Sequence, residues 1–115
     1  MKKTILITGA SGSMGSEVLK QIAETEKHDI TVILRKKKAN IRLAKSLQKR
    51  YPGILKIIFG DLSIFADCER AVENADYIIH CAAIIPPVID HNPDAGYKSN
   101  FLGTLNLINA VKKRP

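Results

Sequence analysis

Tryptophan is absent from this 115-residue sequence, cysteine occurs twice, and no long apolar run is present. No stretch approaches the roughly 18 apolar residues that cross a bilayer, so we expect no membrane-spanning helix and no membrane partner. Cys68 and Cys81 are too few and too far apart in sequence for a disulfide framework or a paired-thiol metal site. We therefore expect two buried, unpaired thiols and a reducing, cytoplasmic location.

Acidic residues are missing from one long segment. Residues 35–50 (RKKKANIRLAKSLQKR) hold eight Lys or Arg and no acid, whereas the rest of the chain has ten basic and eleven acidic residues. This segment thus accounts for the net charge of +7. A solvated helix face is one explanation and nucleic-acid binding is another. The second is not favoured, because no aromatic residues alternate with the charges.

Short apolar runs alternate with helical patterns along the whole chain. The runs predict strands over 4–8, 30–34, 55–59 and 77–82, and the patterns between them predict helices over 13–25, 39–50, 65–73 and 94–113. The runs are nearly continuous, as in parallel strands that are buried on both faces. The sequence therefore predicts an α/β fold with a parallel sheet covered by helices on both sides.

Three glycines at intervals of three follow the first predicted strand and open the first predicted helix. Gly9 would allow the tight turn, Gly12 would let backbone approach a pyrophosphate, and Gly15 would let the helix pack close to the sheet. No Lys follows Gly15, so the turn is not a Walker loop. The alternative is a packing turn without a ligand.

This turn and three later motifs resemble the extended branch of the short-chain dehydrogenase/reductase superfamily, the NAD(P)-dependent epimerase/dehydratase group. The motifs are TGxxGxxG over 8–15, GDL over 60–62, DYIIHCAA over 76–83 and NPDAGYKSNFLGTLNLINA over 92–110. Together they span about residues 4–111. The resemblance implies a Rossmann-like doubly wound parallel sheet that ends after about four strand–helix units, and an N-terminal NAD(P)-binding portion over 1–115.

The resemblance also implies which residues contact the cofactor, and it assigns a structural role to two more. Asp61 would accept a hydrogen bond from the adenine, or else serve only as a helix N-terminal acid. His80 would be a packing residue, since a metal site built with Cys81 and His91 lacks a fourth ligand. Asn100 would support the active-site backbone. The implied contacts are Gly9, Ser11, Gly12, Ser13, Met14, Gly15, Asp61, Leu62, Ala82 and Ala83.

The nature of the cofactor depends on position 35. An enzyme that uses NAD carries an acid about 20 residues after the glycines, where it binds the ribose 2′-hydroxyl. Here that residue is Arg35, which suits the 2′-phosphate of NADP. Lys36, Lys37 and Lys38 would either add to the positive electrostatic field around this phosphate or be solvated. We predict NADP, with NAD as the alternative.

The catalytic pair of the superfamily is missing from the sequence. Leu55, Cys81 and Phe101 stand four residues after the three tyrosines, where the family has Lys after its catalytic Tyr. We therefore expect the Tyr/Lys segment and the substrate domain to lie beyond residue 115, and the fourth strand to form an exposed edge prone to self-association. Three hypotheses stay open: the cofactor-binding portion of an epimerase, dehydratase or dehydrogenase acting on a sugar nucleotide or another small carbonyl or hydroxyl substrate; a non-catalytic NADP sensor; and a basic interaction module.

Overall fold

Four parallel strands form one sheet in a computed structural model of the chain, which describes residues 2–82, 94 and 97–115. The strand order is β3-β2-β1-β4, as in a doubly wound sheet, and confirms the predicted fold class. The strands are β1 (Thr4–Thr8), β2 (Asp29–Leu34), β3 (Leu55–Phe59) and β4 (Tyr77–His80).

Helices fill the connections between the strands. They are α1 (Ser13–Thr25), α2 (Lys38–Arg50), α3 (Phe65–Val72) and α4 (Gly103–Lys113). A π-helical turn, Tyr97–Leu102, leads directly into α4, where the sequence predicted a continuous α-helix. None of the described helices is both long and apolar enough to cross a membrane.

Side chains alternate between two apolar layers along the central strands. Ile5 and Ile7 of β1 pack with Leu19 of α1 and Ala44 of α2 on one face of the sheet. Leu6, between them in sequence, packs on the other face with α3 and α4. This burial on both faces explains why β1 and β2 read as continuous apolar runs.

The outer strands depart from the prediction. Tyr77 of β4 is 58% exposed, because within the described residues β4 pairs with β1 alone. β4 also ends at His80 and not at residue 82. Its partner β1 ends at Thr8 and turns away at Gly9. The N–H of Ala82 therefore donates to the side-chain hydroxyl of Thr8, at 3.1 Å, and not to a backbone carbonyl of β1.

Candidate functional site

A cleft of about 380 Å³ lies where the four strands end. β2 and β3 lie to one side of β1 and β4 to the other, so the loops after β1 and β4 diverge and leave a crevice at the carboxyl edge. The cleft is lined by Thr8, Gly9, Ser11, Gly12, Ile33, Leu34, Arg35, Lys37, Asn40, Gly60, Asp61, Leu62, Cys81 and Ala82.

Gly9 and Gly15 are required by the fold itself. Gly9 has φ +75°, and a Cβ there would lie 2.6 Å from the Ala82 nitrogen. A Cβ on Gly15 would lie 1.9 Å from the Gly9 carbonyl oxygen, so only glycine lets α1 begin this close to the turn. Both positions therefore have the structural roles predicted from the sequence.

Gly12 differs from its two neighbours. Its φ of −86° and ψ of 171° are open to any residue, and a Cβ would meet only the Gly9 oxygen, at an ordinary 3.4 Å. Neither backbone conformation nor packing against the described residues requires a glycine here. Gly12 is the N-cap residue of α1, where glycine is accepted but Ser, Thr, Asp and Asn are equally good, and it also lines the cleft. Close approach by a bound group is a physical reason for glycine in particular.

The N-terminus of α1 supplies hydrogen-bond donors beside Gly12. Among the described residues no side chain caps this helix, and its first turn contains no acidic residue. The first N–H groups of any helix lack intrahelical partners and carry partial positive charge. This end of α1 therefore suits an anionic group such as a phosphate.

Arg35 follows β2 directly and lies on the wall of the cleft. Asn40, which is 5% exposed, donates from Nδ2 to the Arg35 carbonyl at 2.8 Å and so fixes the loop between β2 and α2. The Arg35 side chain itself is exposed, and its charge lies close enough to Asp61 to act on that carboxyl. The cleft thus has a cation at one end.

Asp61 begins the loop after β3. Its Oδ1 accepts hydrogen bonds from the Ser63 N–H and hydroxyl, both at 2.8 Å. Burial raises the pKa of Asp61, but the Ser63 bonds and the Arg35 charge outweigh it, so the pKa lies below its usual value. Asp61 is therefore a carboxylate at neutral pH, able to accept a further bond.

The same loop is held from α3. The Asp61 N–H donates to Asp67 Oδ2, and Arg70 donates both to Asp67 Oδ1, at 2.8 Å, and to the Phe59 carbonyl. The bonds from Arg70 and from the Asp61 backbone lower the pKa of Asp67. Asp67 thus remains charged and keeps the Gly60–Asp61 turn in place.

His80 joins three elements through one directional chain of hydrogen bonds. Thr104 donates to the Asn100 carbonyl, so it accepts from His80 Nε2 at 2.8 Å. His80 Nδ1 then accepts from the Thr8 hydroxyl at 2.6 Å, which in turn accepts from the Ala82 N–H. Both ring nitrogens are engaged, and burial lowers the pKa of His80. A neutral His80 thus ties the end of β4 to the end of β1, just before the glycine turn, and to the start of α4.

The stability of the chain should fall when the pH drops below the ordinary His pKa of 6.5, because the unfolded chain then gains a proton that folded His80 resists. We expect His80→Asn to cost about 1–3 kcal/mol at neutral pH, through the lost hydrogen bonds to the Thr8 and Thr104 hydroxyls, and to flatten this pH dependence. Urea unfolding between about pH 8 and pH 5.5 measures both effects. An unchanged pH profile would contradict the assignment.

The structure brings together most of the predicted contacts, which line the one cleft: Gly9, Ser11, Gly12, Arg35, Asp61, Leu62 and Ala82. Ser13 and Met14 border a separate surface depression on α1, and Met14 is 71% exposed. Gly15 acts beneath the turn. Ala83 and His91 lie outside the described residues.

The two cysteines have different environments. Cys68 is fully buried in α3, and burial raises its pKa to about 11, as expected of an inert thiol. Cys81 is only partly buried and lies on the cleft wall, which corrects the expectation that both are buried. The reason is the end of β4, which places Cys81 in the loop after the strand.

Asn40 and Asp67 act at the site but were not identified from the sequence. Asn40 is a polar residue on the face of α2 that also carries Ala44, and this break in an apolar face is a signal that sequence reading can use. Asp67 has no comparable signal, because its partner Asp61 is defined only by the fold.

A second cleft of about 380 Å³ lies at the opposite edge of the sheet, with Thr4, Asp29, Lys56 and Asn74 in its wall. It is formed by the amino ends of the strands. Parallel sheets bind ligands at their carboxyl ends, where the glycine turn and the start of α1 also lie. We therefore assign the functional site to the cleft at the carboxyl edge.

Comparison with known proteins shows the family of the chain. The family model for polysaccharide biosynthesis proteins matches residues 5–114. An uncharacterised membrane protein of Methanocaldococcus jannaschii is 33% identical over 107 residues. The match covers 92% of this chain and 31% of the length of that protein. The UDP-glucose 4-epimerase of Rickettsia canadensis is 31% identical, covering 96% of this chain and 33% of the enzyme. The chain thus spans about a third of the length of these relatives.

A solved structure has the same fold as this chain, at a sequence identity similar to that of the relatives above. The UDP-Glc/GlcNAc 4-epimerase of Campylobacter jejuni superposes with a TM-score of 0.80 and 31% identity. The match covers 96% of this chain and 34% of the epimerase. Sequence and fold therefore agree over the same portion of the chain.

Proposed function

Because the chain belongs to the polysaccharide biosynthesis protein family, within the extended short-chain dehydrogenase/reductase superfamily, we propose that its cleft binds a nicotinamide dinucleotide. One observation carries the proposal. Gly12 lines the cleft in an ordinary conformation, and among the described residues a Cβ there would meet the Gly9 oxygen alone, at 3.4 Å. A pyrophosphate seated against this backbone accounts for the missing side chain.

Each wall of the cleft offers groups that suit a different part of the dinucleotide. The first turn of α1 would receive the pyrophosphate on its free N–H groups. The Asp61 carboxylate would accept from the adenine amino group, and Leu62 would pack on the ring. Ala82, next to Gly9, leaves room for a ribose. The Ala82 N–H donates to the Thr8 hydroxyl, and that hydroxyl donates to His80, so the ends of β1 and β4 keep a fixed spacing.

The reaction chemistry comes from the nicotinamide, which accepts or donates a hydride when bound. This chain's own residues would hold and orient the cofactor. None of the three tyrosines is followed by Lys four residues later, so we propose cofactor binding, and no turnover, for residues 1–115. In a longer protein with the Tyr/Lys pair, we propose a sugar nucleotide or a similar small hydroxyl or carbonyl compound as the substrate.

We further propose that the cofactor is NADP. Arg35 is exposed on the cleft wall, and its backbone is fixed by Asn40, so the guanidinium can meet a 2′-phosphate with paired charge-assisted hydrogen bonds. Asp29 begins β2 at the other edge of the sheet, too far along the strand to bind the ribose at this end. No acid occupies position 35, where an NAD-binding member carries one.

The experiment is a fluorescence titration with NADPH and NADH. NADPH should bind more tightly, and Arg35→Asp should lower its affinity by about 10–100-fold, because a charged hydrogen-bonding group is lost and a like charge gained. Lys36→Asp is the matched control: it makes the same change of charge one residue away, outside the cleft lining. Tighter binding of NADH by the unchanged chain would overturn the assignment to NADP, and binding of neither nucleotide would overturn the proposed function.

A non-catalytic NADP sensor is the second candidate. Only the missing Tyr/Lys pair favours it over an enzyme portion. Both candidates require the same cleft and make the same prediction for Arg35.

A further inference from the structure

Helix α2 presents a continuous basic stripe that cofactor binding does not require. Lys38, Arg42, Lys45 and Lys49 are spaced by four, three and four residues, which places them on one side of an α-helix. All four are exposed, and the stripe is about 16 Å long at the helical rise of ~1.5 Å per residue. The buried residues of α2, Asn40 and Ala44, face the opposite side.

The charge of this basic stripe is not neutralised by any of the described residues. No acidic residue occurs between Asp29 and Asp61. In the part of the chain that the structure describes, the two ion pairs join α3 to itself and to α4, through Arg70–Asp67 and Lys113–Glu69. None of the four stripe side chains forms a hydrogen bond or ion pair with a described residue. The stripe is therefore available to an external anion.

The shape of the basic stripe favours binding to a broad anionic surface over binding to single-stranded nucleic acid. It is straight and convex, and between its basic residues α2 exposes only Ala39, Ser46 and Gln48. Binding of single-stranded nucleic acid generally combines a groove with aromatic stacking platforms. The one aromatic ring nearby, Tyr51, is partly buried and has Arg50 above it, 5.4 Å from the ring centre.

The expectation of no membrane partner rests on the lack of a long apolar run, which excludes insertion but not surface binding. We propose that the basic stripe docks the protein on the anionic lipid surface of a membrane, by electrostatic attraction and without insertion. Clusters of four to eight Lys or Arg on an amphipathic helix bind anionic lipid headgroups in this way. The seven exposed large apolar residues among those described all lie outside α2, which leaves no anchor on the docking face. Such attachment is reversible and weakens as salt rises.

Vesicle cosedimentation tests the proposal. The chain should bind vesicles of phosphatidylcholine and phosphatidylserine in equal parts and should not bind pure phosphatidylcholine vesicles. A triple variant, Arg42→Gln, Lys45→Gln and Lys49→Gln, should bind about 100-fold more weakly, given the attraction of each basic side chain near the surface. Its cofactor titration should be unchanged, because none of the three residues lines the cleft.

The matched control is a triple variant with the same loss of charge outside the stripe: Lys20→Gln, Lys27→Gln and Lys56→Gln. These residues are exposed on α1, the loop after it and β3. The control should keep most of the vesicle affinity. Equal losses in both variants, or no vesicle binding at all, would overturn the proposal. Stripe-dependent binding of an oligonucleotide without vesicle binding would overturn it in favour of nucleic acid.

Discussion

The Gly12→Ala variant will remain folded and lose most of its affinity for NADPH. The backbone at Gly12 is extended, and the new methyl group meets only one carbonyl oxygen at 3.4 Å. Its free energy of unfolding should change by less than about 1 kcal/mol, because a weaker helix cap and a less flexible unfolded chain offset each other. The methyl group would stand where the pyrophosphate approaches, so NADPH affinity should fall at least about tenfold.

The Gly15→Ala variant is the matched comparison, with the same added methyl group three residues along α1. Here the Cβ would overlap the Gly9 carbonyl, so the start of the helix must shift. We expect a loss of about 3 kcal/mol or more in the free energy of unfolding, as for severe overpacking. Urea unfolding and NADPH titration of both variants separate the two roles. Equal destabilisation would show that Gly12 is structural, and would remove the main support for the cleft as a cofactor site.

The 115-residue chain will self-associate through β4. Within the described residues this strand is unpaired on one side, and beside it lies an apolar groove of about 400 Å³ between β4 and α4. The groove is lined by Ile78, Leu107, Ile108 and Val111 among others, and Ile108 is 47% exposed. An unpaired apolar strand edge is a template for pairing with another chain.

Light scattering at rising protein concentration measures this association, which should give dimers or larger species. Ile108→Lys should shift the chain toward monomer, because it places a charge in the groove. Met14→Lys puts the same charge on an exposed apolar residue of α1, away from β4, and should leave the association unchanged. A stable monomer at high concentration would contradict the prediction.

The sequence predicts the fold correctly where the apolar pattern of a strand matches the burial of that strand in the sheet. β1 and β2 are central, so their continuous apolar runs match their burial on both faces. The structural roles of Gly9 and Gly15 also followed from their spacing between a strand and a helix. β4 was placed two residues too long, because its end depends on where its partner β1 turns, which is a tertiary property.

The site was less predictable because its details depend on contacts between distant segments. Asp67 acts on Asp61 only because α3 begins beside the β3 loop, and His80 takes its tautomer from Thr104, 24 residues away. The side chain of Met14, another predicted contact, lies exposed on α1, an orientation that its place in the motif does not reveal. Motif position located the cleft but could not orient each side chain.

The most direct test of the cofactor cleft is a map of backbone amide NMR shifts during titration with NADPH. The account predicts that the largest shifts occur at Gly9, Gly12, Arg35, Asp61 and Ala82, which meet at the carboxyl edge of the sheet. Shifts centred on Asp29, Lys56 and Asn74, at the opposite edge, would contradict it, as would the absence of any shift at saturating NADPH.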